Sequence, residues 1–435
     1  GIFPSLQLGW VISNEKWFKP GKGINYLKLT AGFDQSGNDG IDYYASRTYW
    51  ESQRVTANTV GLVLNNIENT SIQWETTTRL NVALEGSFIK NRLNAGVDFF
   101  MHTTDNLLTL SDIDYISGLG RYWTNDGQLK NRGFEVHANG AIINEKDWKW
   151  ELGLSVGHYT NEITKLPTYN NGLTVGGTPV NGITNSIYGV DNILTAEGYA
   201  AGSFFGWETD GVLASDQEAS TAGKYGYLRY PTGIENRPYD AFQAGDVRFV
   251  DQNNDGVIDD NDRVVIGNPN PDIFGNIFTA LTWKNLRLDV IFKYSLGNDI
   301  YNYQRSILEG GNTTYNQTTA LMKRWTYEGQ QTDIPKVCYP DCDDWRNNER
   351  MSDRWIEDGS YLKLKNVRLT YVIPLRNDYI QGLKVWAEGN NLFTLTKYLG
   401  TDPEMSARNH SLYQGIDTGL LPSSRSFNVG VSINL

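Results

Sequence analysis

Residues 79–102 read RLNVALEGSFIKNRLNAGVDFFMH, and two strands can be read directly from them. Leu80, Val82, Leu84, Gly86 and Phe88 fall on one face, with Arg79, Asn81, Ala83, Glu85 and Ser87 on the other. A tight turn at Lys90-Asn91-Arg92 follows. Leu93, Ala95, Val97, Phe99 and Met101 then alternate with Asn94, Gly96, Asp98, Phe100 and His102. A period of two is the period of a strand with one apolar and one wet face. Strands of roughly 10 residues with this pattern suit a wall between lipid and water, which must close into a barrel to satisfy its backbone.

The same signature recurs along the chain. Phe134, Val136, Ala138 and Ile142 precede a short turn at 144–147, and Trp150, Leu152, Leu154 and Val156 follow it. Ile273, Ile277 and Leu281 turn at Lys284-Asn285 into Leu286, Leu288, Val290 and Phe292. Leu383, Val385 and Ala387 alternate with Lys384, Trp386 and Glu388, and Phe427, Val429, Val431 and Ile433 with Asn428, Gly430, Ser432 and Asn434. Over 361–373 the phase slips from Leu362 and Leu364 to Val367, Leu369 and Tyr371, which predicts a β-bulge near Lys365-Asn366. Long polar segments near 104–131, 160–272, 296–359 and 392–424 separate the hairpins. Short turns at one end and long loops at the other are the asymmetry of an outer-membrane barrel. A dozen or so strands are expected.

Composition agrees. The 435 residues include 25 Tyr, 13 Trp, 16 Phe and 44 Gly, a profile of strands, turns and aromatic girdles. No run approaches the roughly 18 apolar residues of a membrane helix, so a span must be built of strands. A net charge of −12 argues against nucleic acid as a partner. Cys338 and Cys342 predict a small loop disulfide, and Gly1 without a leader reads as the start of a processed piece.

The sharpest local motif is DQNNDGVIDDND at 251–262. Asp251, Asn253, Asp255, Val257, Asp259 and Asp262 occupy the oxygen-ligand positions of a calcium loop, with Gly256 at its sharp turn and Ile258 at its apolar eighth place. Calcium is expected here as a structural ion; an acidic turn held by its own Asx bonds is the alternative. The flanking residues read as strands, not EF-hand helices. Gly153-Leu-Ser155-Val-Gly157 matches G-x-S-x-G, but Ser155 lies mid-strand and not on a strand-to-helix elbow, so no catalytic residue is expected. His102, His137, His158 and His410 are isolated. Tryptophans including Trp148, Trp150, Trp207, Trp283, Trp325, Trp355 and Trp386 are expected in interface belts, and Tyr339 and Trp345 as loop contacts to a ligand.

Together these motifs resemble the C-terminal part of SusC/RagA-type TonB-dependent transporters of Gram-negative outer membranes. The resemblance runs through Phe3-Pro-Ser5, Gly9-Trp10, the Gly202-Ser-Phe204-Phe-Gly206-Trp-Glu-Thr-Asp210-Gly211 stretch, Gly245-Asp246, Ser352-Asp-Arg-Trp355, Asn390-Asn391-Leu-Phe393 and Asp402-Pro403-Glu404. It implies an all-β, multi-pass transmembrane barrel of about 22 strands, of which residues 1–435 supply the C-terminal portion, with the acidic loop near 245–267 outside the cell. It further implies TonB-driven import of oligosaccharides or peptides with a SusD-like surface lipoprotein, and a plug and first strands outside these residues. Arg79, Asn81, Glu85, Asp98, Glu135 and Glu388 would line the polar passage. The rival reading is a calcium-stiffened, secreted β-rich binding or adhesion protein.

Overall fold

The computed structural model describes all residues except 20–22, 42, 57–58, 114–115, 117, 188–189, 236, 338–347, 376–379, 381, 408–410 and 435. Cys338, Cys342, Tyr339, Trp345 and His410 therefore lie outside the described residues, as do the expectations attached to them.

Eleven antiparallel strands form one sheet in which spatial order follows chain order. They are β1 (Ser5–Val11), β2 (Ile24–Asn38), β3 (Glu75–Phe88), β4 (Leu93–Asp112), β5 (Arg121–Asn144) and β6 (Trp148–Lys165). The others are β7 (Ile273–Trp283), β8 (Leu286–Leu296), β9 (Tyr361–Ile373), β10 (Gly382–Thr396) and β11 (Ser426–Asn434). Such an up-and-down meander is what short turns impose, because each strand can only pair with the one it has just left. Residues 89–92, 145–147 and 284–285 make the tightest turns, with Ile89, Lys90, Asn91 and Lys284 all at positive φ. At the opposite end the connections are 39–74, 113–120, 166–272, 297–360 and 397–425.

The faces are inverted relative to a soluble sheet. Leu80, Val82 and Leu84 are 42%, 48% and 40% exposed, while Arg79, Asn81 and Ala83 between them are partly covered. Phe99, Met101, Leu152, Leu154, Leu281, Val429 and Val431 continue the exposed apolar surface across the sheet. In water such a surface would be an aggregation site; in lipid it is the expected outer face. Trp148 stacks on Trp283 with ring centroids 5.9 Å apart at the short-turn end, and Trp150 donates to Thr279 Oγ1 at 2.9 Å. Trp10 stands there too, on β1, 6.3 Å from Trp17.

The predicted bulge is present. Asn366 faces Ile291 and Leu364 faces Phe292, so Lys365 is an extra residue against β8; on the other side Leu364 faces Phe393 and Asn366 faces Asn390, so there β10 carries two residues against Lys365. One inserted residue restores the phase, keeping Leu362, Leu364, Val367 and Leu369 on the same face.

Two expectations need correction. Residues 104–131 are mostly ladder and not loop: β4 and β5 stay paired up to Ser111–Tyr122 and Asp112–Arg121. Threonines such as Thr103, Thr104, Thr109 and Thr124 sustain the strands beyond the apolar band, where β-propensity persists without alternation. At about 3.3 Å per residue the 24-residue β5 spans roughly 80 Å, well past a hydrocarbon core of about 30 Å. The tryptophans also divide. Trp355 is 1% exposed in a core with Phe204, Tyr301, Met351 and Ile416, and Trp207 flanks a second core of Leu213, Phe242, Val247, Phe249 and Ile258. Trp325 donates to the Ala214 carbonyl in the same body, and Trp386 lies under Arg368 on the polar face. These four are not belt residues.

Those two cores belong to a body built at the long-loop end. A four-stranded sheet pairs Gly182–Ile187, Val190–Ala196, Ser203–Trp207 and Arg263–Gly267. A three-stranded one joins two different connections, with Asp299–Asn302 between Ile356–Asp358 of the same connection and Ile416–Asp417 of the 397–425 loop. A hairpin of Tyr49–Thr56 with Thr59–Asn66 was not expected from the sequence.

Candidate functional site: polar face and loop cap

Alternation sends every second side chain of β2–β11 to the face opposite the hydrocarbon. Arg79 lies opposite Asp34 on β2 and His102 on β4, and its Nη1 reaches Asp34 Oδ2 at 3.0 Å. Asp98 sits directly opposite Glu135. With Asn81 and Phe100 these residues line a hollow of about 280 Å³. Farther round, Arg287 bridges Glu151 at 3.1 Å and Asp289 at 2.8 Å, and Arg368 approaches Glu388 at 3.9 Å. The structure thus gathers four of the six expected passage residues. Glu85 lies nearer the turn, opposite Lys28, and Glu388 is at the far side of the sheet.

The 397–425 loop folds back onto this face. Lys363, 2% exposed on β9, donates to Asp402 Oδ2 at 3.1 Å and Glu404 Oε2 at 2.6 Å. Lys293 on β8 reaches Glu404 Oε1 at 2.6 Å, and Tyr361 donates to the same oxygen at 3.1 Å. Asp402 also accepts the Ser423 N–H at 3.0 Å. Burial alone would raise the Glu404 carboxyl, but the Lys293 and Lys363 ammonium groups outweigh it and hold it at about 2. Inward lysines on the strands and the acidic Asp402-Pro403-Glu404 motif are the sequence signal for this clasp, which sequence alone does not join.

In the acidic loop, Asp251 accepts the N–H groups of Asp255 at 3.2 Å and Gly256 at 2.8 Å, and Asp255 accepts that of Val257 at 2.8 Å. Asp259 caps a 3₁₀ turn over Asp260–Asp262, and Asp262 returns a bond to the Asp259 N–H at 2.8 Å. Strands Val247–Phe249 and Arg263–Gly267 flank it, as expected. Ile258 is fully buried in the core beneath and Gly256 has φ +87°. Burial pushes the Asp262 carboxyl up to about 6, against the N–H bonds from Asp259 and Gln252. The Asx bonds of the alternative reading are therefore present. Among the described residues, no three His, Cys, Asp or Glu side chains converge on a common metal position.

Ser155 lies within β6, its Oγ accepting the Asn276 N–H at 3.1 Å. His137 is its register partner on β5, but the imidazole lies over Gly96, 2.5 Å from where a Cβ would stand. Among the described residues no base is bonded to the serine. His158 Nδ1 is 2.6 Å from the Asp272 carbonyl.

A family model described as TonB dependent receptor-like, beta-barrel, matches residues 1–256. The chain belongs to that family. TonB-dependent receptors of this type are outer-membrane proteins of Gram-negative bacteria, transporters and not enzymes, and these eleven strands are wall of that barrel. TonB-dependent receptor P3 of Formosa agariphila is 28% identical over 99% of the chain, which spans 42% of that relative. TonB-dependent receptor SusC of Bacteroides thetaiotaomicron is 26% identical over the whole chain, which spans 40% of it. Among solved structures, the RagAB peptide transporter superposes with a TM-score of 0.74 at 25% identity, covering 99% of this chain and 43% of that one. The chain thus spans about two fifths of the TonB-dependent receptors it matches.

Proposed function

We propose that this wall forms part of a SusC/RagA-type importer that carries oligosaccharides or peptides across the outer membrane. Energy would come through TonB, and a SusD-like surface lipoprotein would act as partner. The observation that carries the reading is the division of the sheet. One face is continuous hydrocarbon; the other is a field of ion pairs from Asp34–Arg79 to Arg368–Glu388. A polar face turned from lipid suits solute movement, and the loop body at one end suits capture. The plug and the TonB-contact segment would come from the rest of the receptor. The decisive test is uptake: cells lacking the full-length receptor, or lacking TonB, should stop importing the substrate that wild-type cells take up. Equal uptake in all three would end the proposal.

We propose also that residues 251–262 hold a structural calcium ion through Asp251, Asn253, Asp255, the Val257 carbonyl, Asp259 and Asp262. Support comes from the all-oxygen donor spacing and from Gly256 at positive φ in the sixth place. Metal content should fall by one calcium per chain in Asp251→Ala and in Asp255→Ala. Unchanged content in both variants removes the ion.

A further inference from the structure

The inner face is charged along most of its width, but it changes character where the 397–425 loop meets β6–β9. A cleft of about 450 Å³ opens there, between the loop and the wall. The Cζ end of the Phe274 ring closes over Gly157, whose absent Cβ would stand 2.6 Å from it, and the ring packs edge-on to Tyr159 at 5.9 Å. Pro269, Pro271, Pro403 and Met405 add carbon to the lining, and Asn276, Lys293, Glu404 and Gln414 add polar atoms beside it. That volume is within the range of ordinary ligand pockets.

Most polar side chains of the lining are already engaged, Lys293 with Glu404 at 2.6 Å and Gln414 with the Pro269 carbonyl at 3.4 Å among them. Tyr159 donates its hydroxyl to Asn270 at 3.0 Å and Tyr361 to Glu404 at 3.1 Å. Ser295 donates to Asn298 at 2.7 Å and Ser406 to the Tyr413 carbonyl at 3.0 Å. Prolines bring no N–H. A sugar ring placed here would surrender water from several hydroxyls and a ring oxygen and find few donors in return, at about 1–3 kcal/mol for each group left unpaired. An aliphatic or aromatic side chain surrenders nothing comparable and gains the carbon contacts.

We propose that this cleft is a subsite for an apolar side chain of a peptide, and that the substrate class of the importer is peptide and not glycan. The proposal rests on the importer reading above, and it is tested by binding alone. Full-length receptor in detergent is titrated with the pentapeptides Gly-Leu-Phe-Leu-Gly and Gly-Ser-Thr-Ser-Gly and with maltopentaose. The apolar peptide should bind, with affinity falling about tenfold or more in Phe274→Ala, which removes the ring, and in Asn276→Trp, which fills the cleft. Assembly of each variant is checked by outer-membrane level and heat-modifiable mobility, and the second variant stands in where the first does not assemble. Absence of apolar-peptide binding overturns the subsite, as does binding unchanged by the assembled variants, or equal binding of the polar peptide or maltopentaose. Loss of the importer reading would show separately, as TonB-independent uptake with peptide binding intact.

Discussion

Lys363 shows how one inward residue can organise a loop. A lysine 2% exposed between Asp402 and Glu404 is tolerable only because both acids reach it. Lys363→Met should therefore cost about 3 kcal/mol locally and free the 397–425 loop, read as faster proteolysis and hydrogen exchange there with β8 and β9 still protected. Acid should act on the same joint. Glu404 sits at about 2 when folded, below the ordinary 4.5, so its contribution is complete above about pH 4.5 and fades as the pH falls towards 2. Loop exchange rates at pH 7 and pH 3 measure it; equal protection would mean that the carboxylate does not hold the loop. The sequence displayed the acids and lysines but not their meeting, because Lys293 and Glu404 are separated by 111 residues and the strand register brings them together.

At the scale of the strand, register decides which face meets lipid. The Lys365 bulge already absorbs one phase slip, so deleting Lys365 should leave every apolar side chain of β9 outward and the receptor should still assemble. Inserting a glycine between Val82 and Ala83 has no such outlet. It would turn Arg79 and Asn81, or their partners beyond the insertion, towards hydrocarbon, where Arg costs about 2–4 kcal/mol near the midplane. Heat-modifiable mobility in outer-membrane fractions separates the two outcomes. These elements were the legible part of the sequence. Strict alternation in 79–102 and the slipped phase in 361–373 state strand, face and bulge directly, since a period of two permits few other readings. The upper halves of β4 and β5 are not legible as strands, because above the membrane neither face is hydrophobic, and polar strands carry no periodic signal. The hairpin at Tyr49–Asn66 and the parallel pairing of Asp299–Asn302 with Ile416–Asp417 depend on contacts far apart in sequence.

For the whole molecule, the two faces make opposite demands. Leu84→Arg should depress outer-membrane levels through a cost of about 2–4 kcal/mol, whereas Ala83→Arg, one residue away on the polar face, should leave them near wild type. Spin labels give the same contrast without a charge: at Val82 and Leu84 they should relax with oxygen, at Asn81 and Glu85 with a water-soluble agent. Equivalent relaxation at all four sites would contradict a membrane wall.

The eleven-stranded ribbon also has two raw margins. Among the described residues, β1 and β11 each pair on one side only, so the outer rows of peptide N–H and C=O groups on Ser5–Val11 and Ser426–Asn434 face no neighbouring described strand. Hydrocarbon offers such groups nothing, and each bare one costs several kcal/mol. Biogenesis is thereby constrained: the ribbon cannot enter lipid as a free-standing curtain, and both hems must be sewn to other strands before or during insertion.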